Sequence, residues 1–158
     1  MVTPQLLAAG FAANQEAIKH EIDGLTHADS LRQPPFRGNC LNWVLGHIVA
    51  SRDNVLRSLG AEPVLAEAEF ARYRAGSPPV TGEAPGVVRL QRLLQSLDLT
   101  QERIAAALQR ATPESLAQEV QFGSRRTTVA EAVFHRFRHD SYHTGQLEYL
   151  RPLAGKGD

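Results

Sequence analysis

Apolar residues recur at three- and four-residue spacing in four long stretches of the chain, the period of a helix with one buried stripe. Leu6, Leu7, Phe11, Ala17, Ile18, Ile22 and Leu25 predict a first helix beginning at Pro4. Thr3 suits its N-cap, and proline suits the first helical position, where its missing N–H would be unpaired in any case. Trp43, Val44, His47, Ile48, Val55, Leu56 and Leu59 predict a second helix over about 40–59, with Asn39 as N-cap and Gly60 just past its end. Leu90, Leu93, Leu94, Leu97, Ile104 and Leu108 mark a third over about 87–110. The last opens with Thr128-Val129-Ala130-Glu131, a capping box in which hydroxyl and carboxylate each satisfy a free N–H, and runs to Tyr149 or Leu150 before Pro152.

The segments between these helices read differently. Thr26 to Asn39 holds Pro34, Pro35 and Gly38, so no helix is expected across it. Ala61 to Gly86 is rich in proline and glycine and has room only for a short helix at Glu67 to Arg74. Thr112 to Arg126 is expected to be a connector with a helical turn after Pro113, and no segment has a convincing strand pattern. The prediction is an all-α four-helix bundle with a long connection between helices 2 and 3, a single domain over residues 1–158.

Composition adds a few exclusions. Lysine plus arginine balances aspartate plus glutamate at 17 each, so no global charge draws the chain to nucleic acid or to an anionic membrane. Cys40 is the sole cysteine, which rules out an intrachain disulfide and fits a reducing compartment. The early apolar run Leu6 to Ala13 is too short to span a bilayer and has no basic residues before it. A cytoplasmic protein is expected. No glycine-rich phosphate loop or Ser-His-Asp pattern is present.

The candidate chemistry lies in histidine. His135, His139 and His143 fall at i, i+4 and i+8 on one face of the last helix. Imidazoles one turn apart can converge on a cation. His135 and His143, roughly 12 Å apart along the axis, cannot easily share one, so one pair binds and the third histidine does something else. His47 sits in an apolar stripe. It is either a core residue satisfied by a hydrogen bond or, if helices 2 and 4 face each other, a third imidazole. Three protein ligands with an open position are the pattern of a catalytic rather than a structural site.

Asn42-Trp43-Val44-Leu45-Gly46-His47-Ile48, followed by His139-Asp140-Ser141-Tyr142-His143-Thr144-Gly145-Gln146, resembles the DinB-like (YfiT-like) superfamily over nearly the whole chain. The resemblance implies a bundle in up-down-down-up order with a long crossover between helices 2 and 3. It implies one divalent metal ion, zinc, nickel or iron, held by His47, His139 and His143, with water or substrate completing the sphere. It also implies a homodimer, and a small-molecule substrate that includes a low-molecular-weight thiol in the thiol-dependent transferases and isomerases of this group.

Other positions are weighed against that frame. His135 and Gln146 are expected to line the site or hydrogen-bond behind the ligands. Gly145, inside a helix, suggests close approach of a neighbouring backbone. Cys40, near a helix N-terminus, is read as a small residue rather than a reactive thiol. Arg52, Asp53 and Asp140 are read as solvated or ion-paired. No carboxylate stands at an obvious spacing for a general base. The favoured function is a metal-dependent enzyme, a thiol S-transferase or a hydrolase; the alternative is a non-catalytic metal-binding protein of stress response or ligand binding.

Overall fold

The structure, a computed structural model, describes residues 3–155. Its elements in order are α1 (Pro4–Ile22), α2 (His27–Ser30), α3 (Leu41–Ser58), α4 (Glu67–Tyr73), α5 (Leu90–Arg110), α6 (Pro113–Ala117), β1 (Glu119–Phe122), β2 (Arg125–Thr128) and α7 (Val129–Leu150), followed by a 3-10 turn at Pro152–Ala154. The four long helices are those the apolar periodicity predicts.

Their ends follow from local chemistry. The Thr3 hydroxyl accepts from the Leu6 N–H and Pro4 opens α1. Thr128 and Glu131 form the capping box of α7. At the end of α3 the Gly60 N–H donates to the Arg57 carbonyl and the Ala61 N–H to the Leu56 carbonyl, and Gly60 takes φ +70°. This is a Schellman closure, and the left-handed backbone it needs favours glycine. Asn39 is not the cap of α3: Cys40 holds that position without a side-chain bond.

Cross-helix hydrogen bonds give the direction of each helix. Asn14 meets Asp140 and Ser141, and Arg151 donates to the carbonyls of His20, Glu21 and Asp23, so α1 and α7 run parallel. His47 meets His139 and Arg52 meets Asp140, while Val44 shares a groove with Leu150, so α3 and α7 are antiparallel. Asn42 reaches Val88 and Arg52 reaches Gln101, so α3 and α5 are parallel. The order along the chain is up, down, down, up. Parallel α3 and α5 cannot be joined by a tight turn, because the chain must return roughly 27 Å along an 18-residue helix. Residues 59–89 make that return.

The crossover is pinned rather than loose. The buried Asp53 carboxylate accepts from the N–H groups of Val64 and Leu65 at 2.7 and 2.9 Å. Further along, the buried Tyr73 hydroxyl donates to Asn42 Oδ1 and accepts from the Val88 N–H, both at 2.8 Å. A Cβ on Gly46 would lie 2.3 Å from the Tyr73 ring, so only glycine lets α4 seat there.

Two apolar clusters make up the core. One gathers Ile18, Trp43, Leu45, Ile48, Leu93 and Leu147. The other gathers Leu7, Phe11, Val55, Leu56, Ile104 and Val133. Between them lies a polar layer centred on Arg52, which is fully buried and held by Asp140, Gln15, Gln101 and the Phe11 carbonyl.

Four further sequence expectations need correction. The linker after α1 does contain a helical turn, α2, nucleated by a Thr26–Asp29 capping box. The third long helix starts at Leu90 rather than Val87. The connector before α7 contains an antiparallel hairpin, Glu119 pairing with Thr128 and Phe122 with Arg125. Its two-residue loop is Gly123-Ser124, with Gly123 at φ +63°, a strand-joining signal obscured by the charged, half-exposed strands. Gly145 has no close neighbour, since a Cβ there would meet nothing within 4 Å.

Candidate metal centre

His47 lies in the middle of α3, and His139 and His143 lie one turn apart on α7. Because α3 and α7 pack antiparallel, three imidazole edges meet between them. Nε2 of His139 is 3.1 Å from Nε2 of His47 and 3.0 Å from Nε2 of His143. Ligand atoms of all three lie within 4.8 Å of one another.

The outer nitrogens fix the tautomers. His47 Nδ1 is 2.7 Å from the Tyr73 carbonyl, which can only accept, so Nδ1 carries the proton and Nε2 presents a lone pair. His143 Nδ1 donates to Gln146 Oε1 at 2.7 Å, so its Nε2 also presents a lone pair. Two lone pairs are therefore aimed at the Nε2 of His139, whose proton can satisfy one of them but not both. His139 Nδ1 is buried without a hydrogen-bond partner. A cation among the three Nε2 atoms would resolve this conflict. Tetrahedral zinc at about 2.0–2.1 Å from each nitrogen requires ligand atoms about 3.3 Å apart; the two spacings to His139 lie slightly below that, and all three atoms lie within 4.8 Å of one another.

The electrostatics also keep the rings neutral. Burial, with the neighbouring His143, His47 and Arg136 adding to it, lowers His139 to about 4. His47 and His143 are pushed below the usual histidine value, chiefly by burial and against the pull of their Tyr73 and Gln146 bonds. Neutral imidazole is the form that ligates.

Gln146 stands behind His143, its Oε1 accepting from Nδ1. His135 does not join the cluster. The hairpin packs back on the first turns of α7, so His135 Nε2 accepts from Arg125 at 2.9 Å and its ring lies 5.5 Å from that of Phe122. Cys40 is buried, its thiol donates to the Val80 carbonyl at 3.3 Å, and burial raises its pKa. Of the two readings of Asp140 and Arg52, solvated or ion-paired, the second holds: they form a buried ion pair at 3.0 Å.

Sequence reasoning missed three neighbours of the site. Trp43, one turn before His47, stacks on it at 4.8 Å and 14°. Arg136, one turn before His139, lines the same seam. Helical spacing could have found both. The Tyr73 carbonyl could not be found, because no side-chain pattern reports where a backbone oxygen will point.

A model of the DinB superfamily matches residues 11–147, and the chain belongs to that superfamily. Among solved structures, the chain is similar to a conserved protein from Enterococcus faecalis, at 19% identity and a TM-score of 0.76 over 99% of both chains. It is similar to a DinB-like protein from Bacillus cereus, at 20% identity and a TM-score of 0.70 over 98% of this chain and 96% of that one. It is also similar to a mutant of the mycothiol-dependent maleylpyruvate isomerase, at 10% identity and a TM-score of 0.68, covering 93% of this chain and 63% of that one. At these identities the likeness is one of fold. No curated protein matches the sequence. Among the described residues no helix is long and apolar enough to cross a membrane.

Proposed function

We propose that this protein holds one divalent metal ion on His47, His139 and His143 and is a metal-dependent enzyme of the thiol S-transferase kind, a hydrolase being the second reading. The observation that carries this is the pair of tautomers fixed by Tyr73 and Gln146, which turns two Nε2 lone pairs onto a third imidazole. Zinc, nickel and iron all suit an all-imidazole set. A divalent ion bound by neutral ligands keeps its full charge and lowers the pKa of a coordinated water or thiol, so that a nucleophile is available near neutral pH.

The chain's own residues supply positioning. Tyr73 and Gln146 orient two ligands from behind, the role such outer partners play in metal sites. The Trp43 ring covers one face of His47 and shields it from water. No carboxylate lines the recess beside His47 and His139, so proton removal there is not assigned to a protein base. A thiol substrate fits this best, since a thiol with a lowered pKa needs no base near pH 7. The small-molecule thiol, a homodimeric state and a cytoplasmic setting are parts of the same reading, supported by membership of the superfamily.

The test is metal analysis of protein made without a polyhistidine tag, then a screen of thiol–electrophile conjugation and ester hydrolysis with chelated and reloaded protein. Activity that disappears on chelation and returns with metal supports the reading. Stoichiometric metal with no conjugation or hydrolysis under any reloading condition would turn it towards a non-catalytic binding protein.

A further inference from the structure

Next to the imidazole cluster, on the same seam between α3 and α7, lies a recess of about 70 Å³. Its lining includes Ser51, Asn54, Arg74, Arg136 and His139, and no carboxylate. Four buried side-chain nitrogen or oxygen atoms among the described residues have no hydrogen-bond partner: Ser51 Oγ, Arg136 Nε, His139 Nδ1 and Arg151 Nε. Three of the four belong to this one recess.

Orphaned buried polar atoms are rare and each costs about 1–3 kcal/mol. Three at one small site are not explained by folding. All three can donate: Arg136 Nε always, Ser51 Oγ by rotation, and His139 Nδ1 whenever its Nε2 faces the cluster as a lone pair. Arg136 makes no hydrogen bond or ion pair among the described residues, and its guanidinium packs over the Phe122 ring at 5.1 Å. Asn54 Oδ1 accepts from Arg57, which leaves the amide N–H groups of Asn54 as further donors. The exposed Arg74 also lines the recess.

The outer bonds of the ligands point the same way. A metal-bound histidine commonly donates its second N–H to a carboxylate or carbonyl. His47 has the Tyr73 carbonyl and His143 has Gln146, but His139 has nothing. The missing acceptor, the convergent donors and the unpaired guanidinium call for the same partner.

We propose that this recess binds the carboxylate group of a small-molecule substrate or co-substrate, with Arg136 as its charge partner and Ser51 and His139 as donors. The recess is far smaller than the roughly 300 Å³ of a common ligand pocket. It therefore takes the carboxylate itself, and the rest of the molecule extends past Arg74. The part played by His139 rests on the metal reading above; the parts of Arg136 and Ser51 do not.

The test is titration calorimetry of malonate into the metal-free protein, so that chelation of a metal by the probe does not enter. Malonamide serves as the neutral control and inorganic phosphate as the competing anion. Malonate should bind and malonamide should not. Arg136→Gln should weaken malonate about tenfold or more, with Arg136→Lys falling between, because a charge-assisted bond is lost or made less directional. Ser51→Ala should weaken malonate severalfold while leaving thermal stability unchanged or raised, since it removes a buried hydroxyl that has no partner in the ligand-free fold. Equal binding of malonate and malonamide overturns the proposal, as does unchanged affinity in Arg136→Gln that retains wild-type circular dichroism. Phosphate binding more tightly than malonate overturns the choice of carboxylate. Failure of zinc to bind the wild-type protein sinks the metal reading alone and leaves the malonate result to decide this one.

Discussion

Arg52 of α3 and Asp140 of α7 form a paired contact, Nε to Oδ1 and Nη2 to Oδ2, each at 3.0 Å, with both side chains out of contact with solvent. Asp140 immediately follows His139, and Arg52 lies five residues beyond His47 on the facing helix. The pair therefore fixes the rotation and register of the two helices whose histidines must meet.

Removing one partner should be costly. Asp140→Ala leaves a guanidinium buried and unpaired, and the expected loss is about 3–5 kcal/mol in urea denaturation. Replacing both residues with apolar side chains, Arg52→Met with Asp140→Leu, should recover much of that loss. A cost under about 1 kcal/mol for the single change would mean that the pair is hydrated in solution.

Metal content should follow the geometry of the cluster. Protein purified in the presence of zinc should hold close to one ion per chain, and His139→Ala or His143→Ala should reduce this strongly by elemental analysis. His135→Ala and Cys40→Ser should not, because neither side chain faces the cluster. Chelation should leave most of the helical circular dichroism, as the two apolar clusters do not depend on the ion. Complete unfolding on chelation would make the metal structural.

Acid should destabilise the metal-free protein over a defined window. Below about pH 6.5 the unfolded chain takes up protons on its histidines, whereas folded His139 stays neutral down to about 4. The unfolded state then binds more protons at this position, so the contribution of His139 to stability falls as the pH drops from about 6.5 to about 4 and levels off below. His139→Gln should flatten this slope in urea midpoints measured across the window. For the same reason zinc affinity should hold to lower pH than free histidine would allow. An affinity already falling steeply through pH 7 would contradict the lowered pKa values of the cluster.

Gly46→Ala should reach the site without touching a ligand. Its Cβ would collide with the Tyr73 ring, whose carbonyl orients His47. The expected cost is about 1–3 kcal/mol of stability, with metal affinity about ten- to a hundredfold weaker. Gln146→Ala should weaken the metal by a similar factor through His143 with little effect on stability. Wild-type zinc affinity in both variants would show that the outer bonds do not matter.

The sequence by itself determined the four long helices, because apolar spacing, the Thr3-Pro4 start, the Thr128–Glu131 box and Gly60 are all local signals that act within a turn or two. It also determined that His139 and His143 share a helical face, since that follows from 3.6 residues per turn. It carried the signals for α2 and the hairpin as well, in Thr26–Asp29 and Gly123-Ser124, but short polar elements have no apolar stripe to make them stand out. Whether His47 was a core residue or a member of the cluster was decided by the antiparallel packing of α3 on α7, a long-range contact that no local period encodes. The same packing buried Arg52 against Asp140 and so chose the ion pair over the solvated alternative, while the hairpin drew His135 away from the group. It was also the tertiary structure that brought the Tyr73 carbonyl behind His47 and gathered Ser51, Arg136 and His139 around one recess. Those placements depend on where the crossover and the facing helix come to rest, and hydrogen-bond donors carry no periodic mark along the chain to reveal that they will meet.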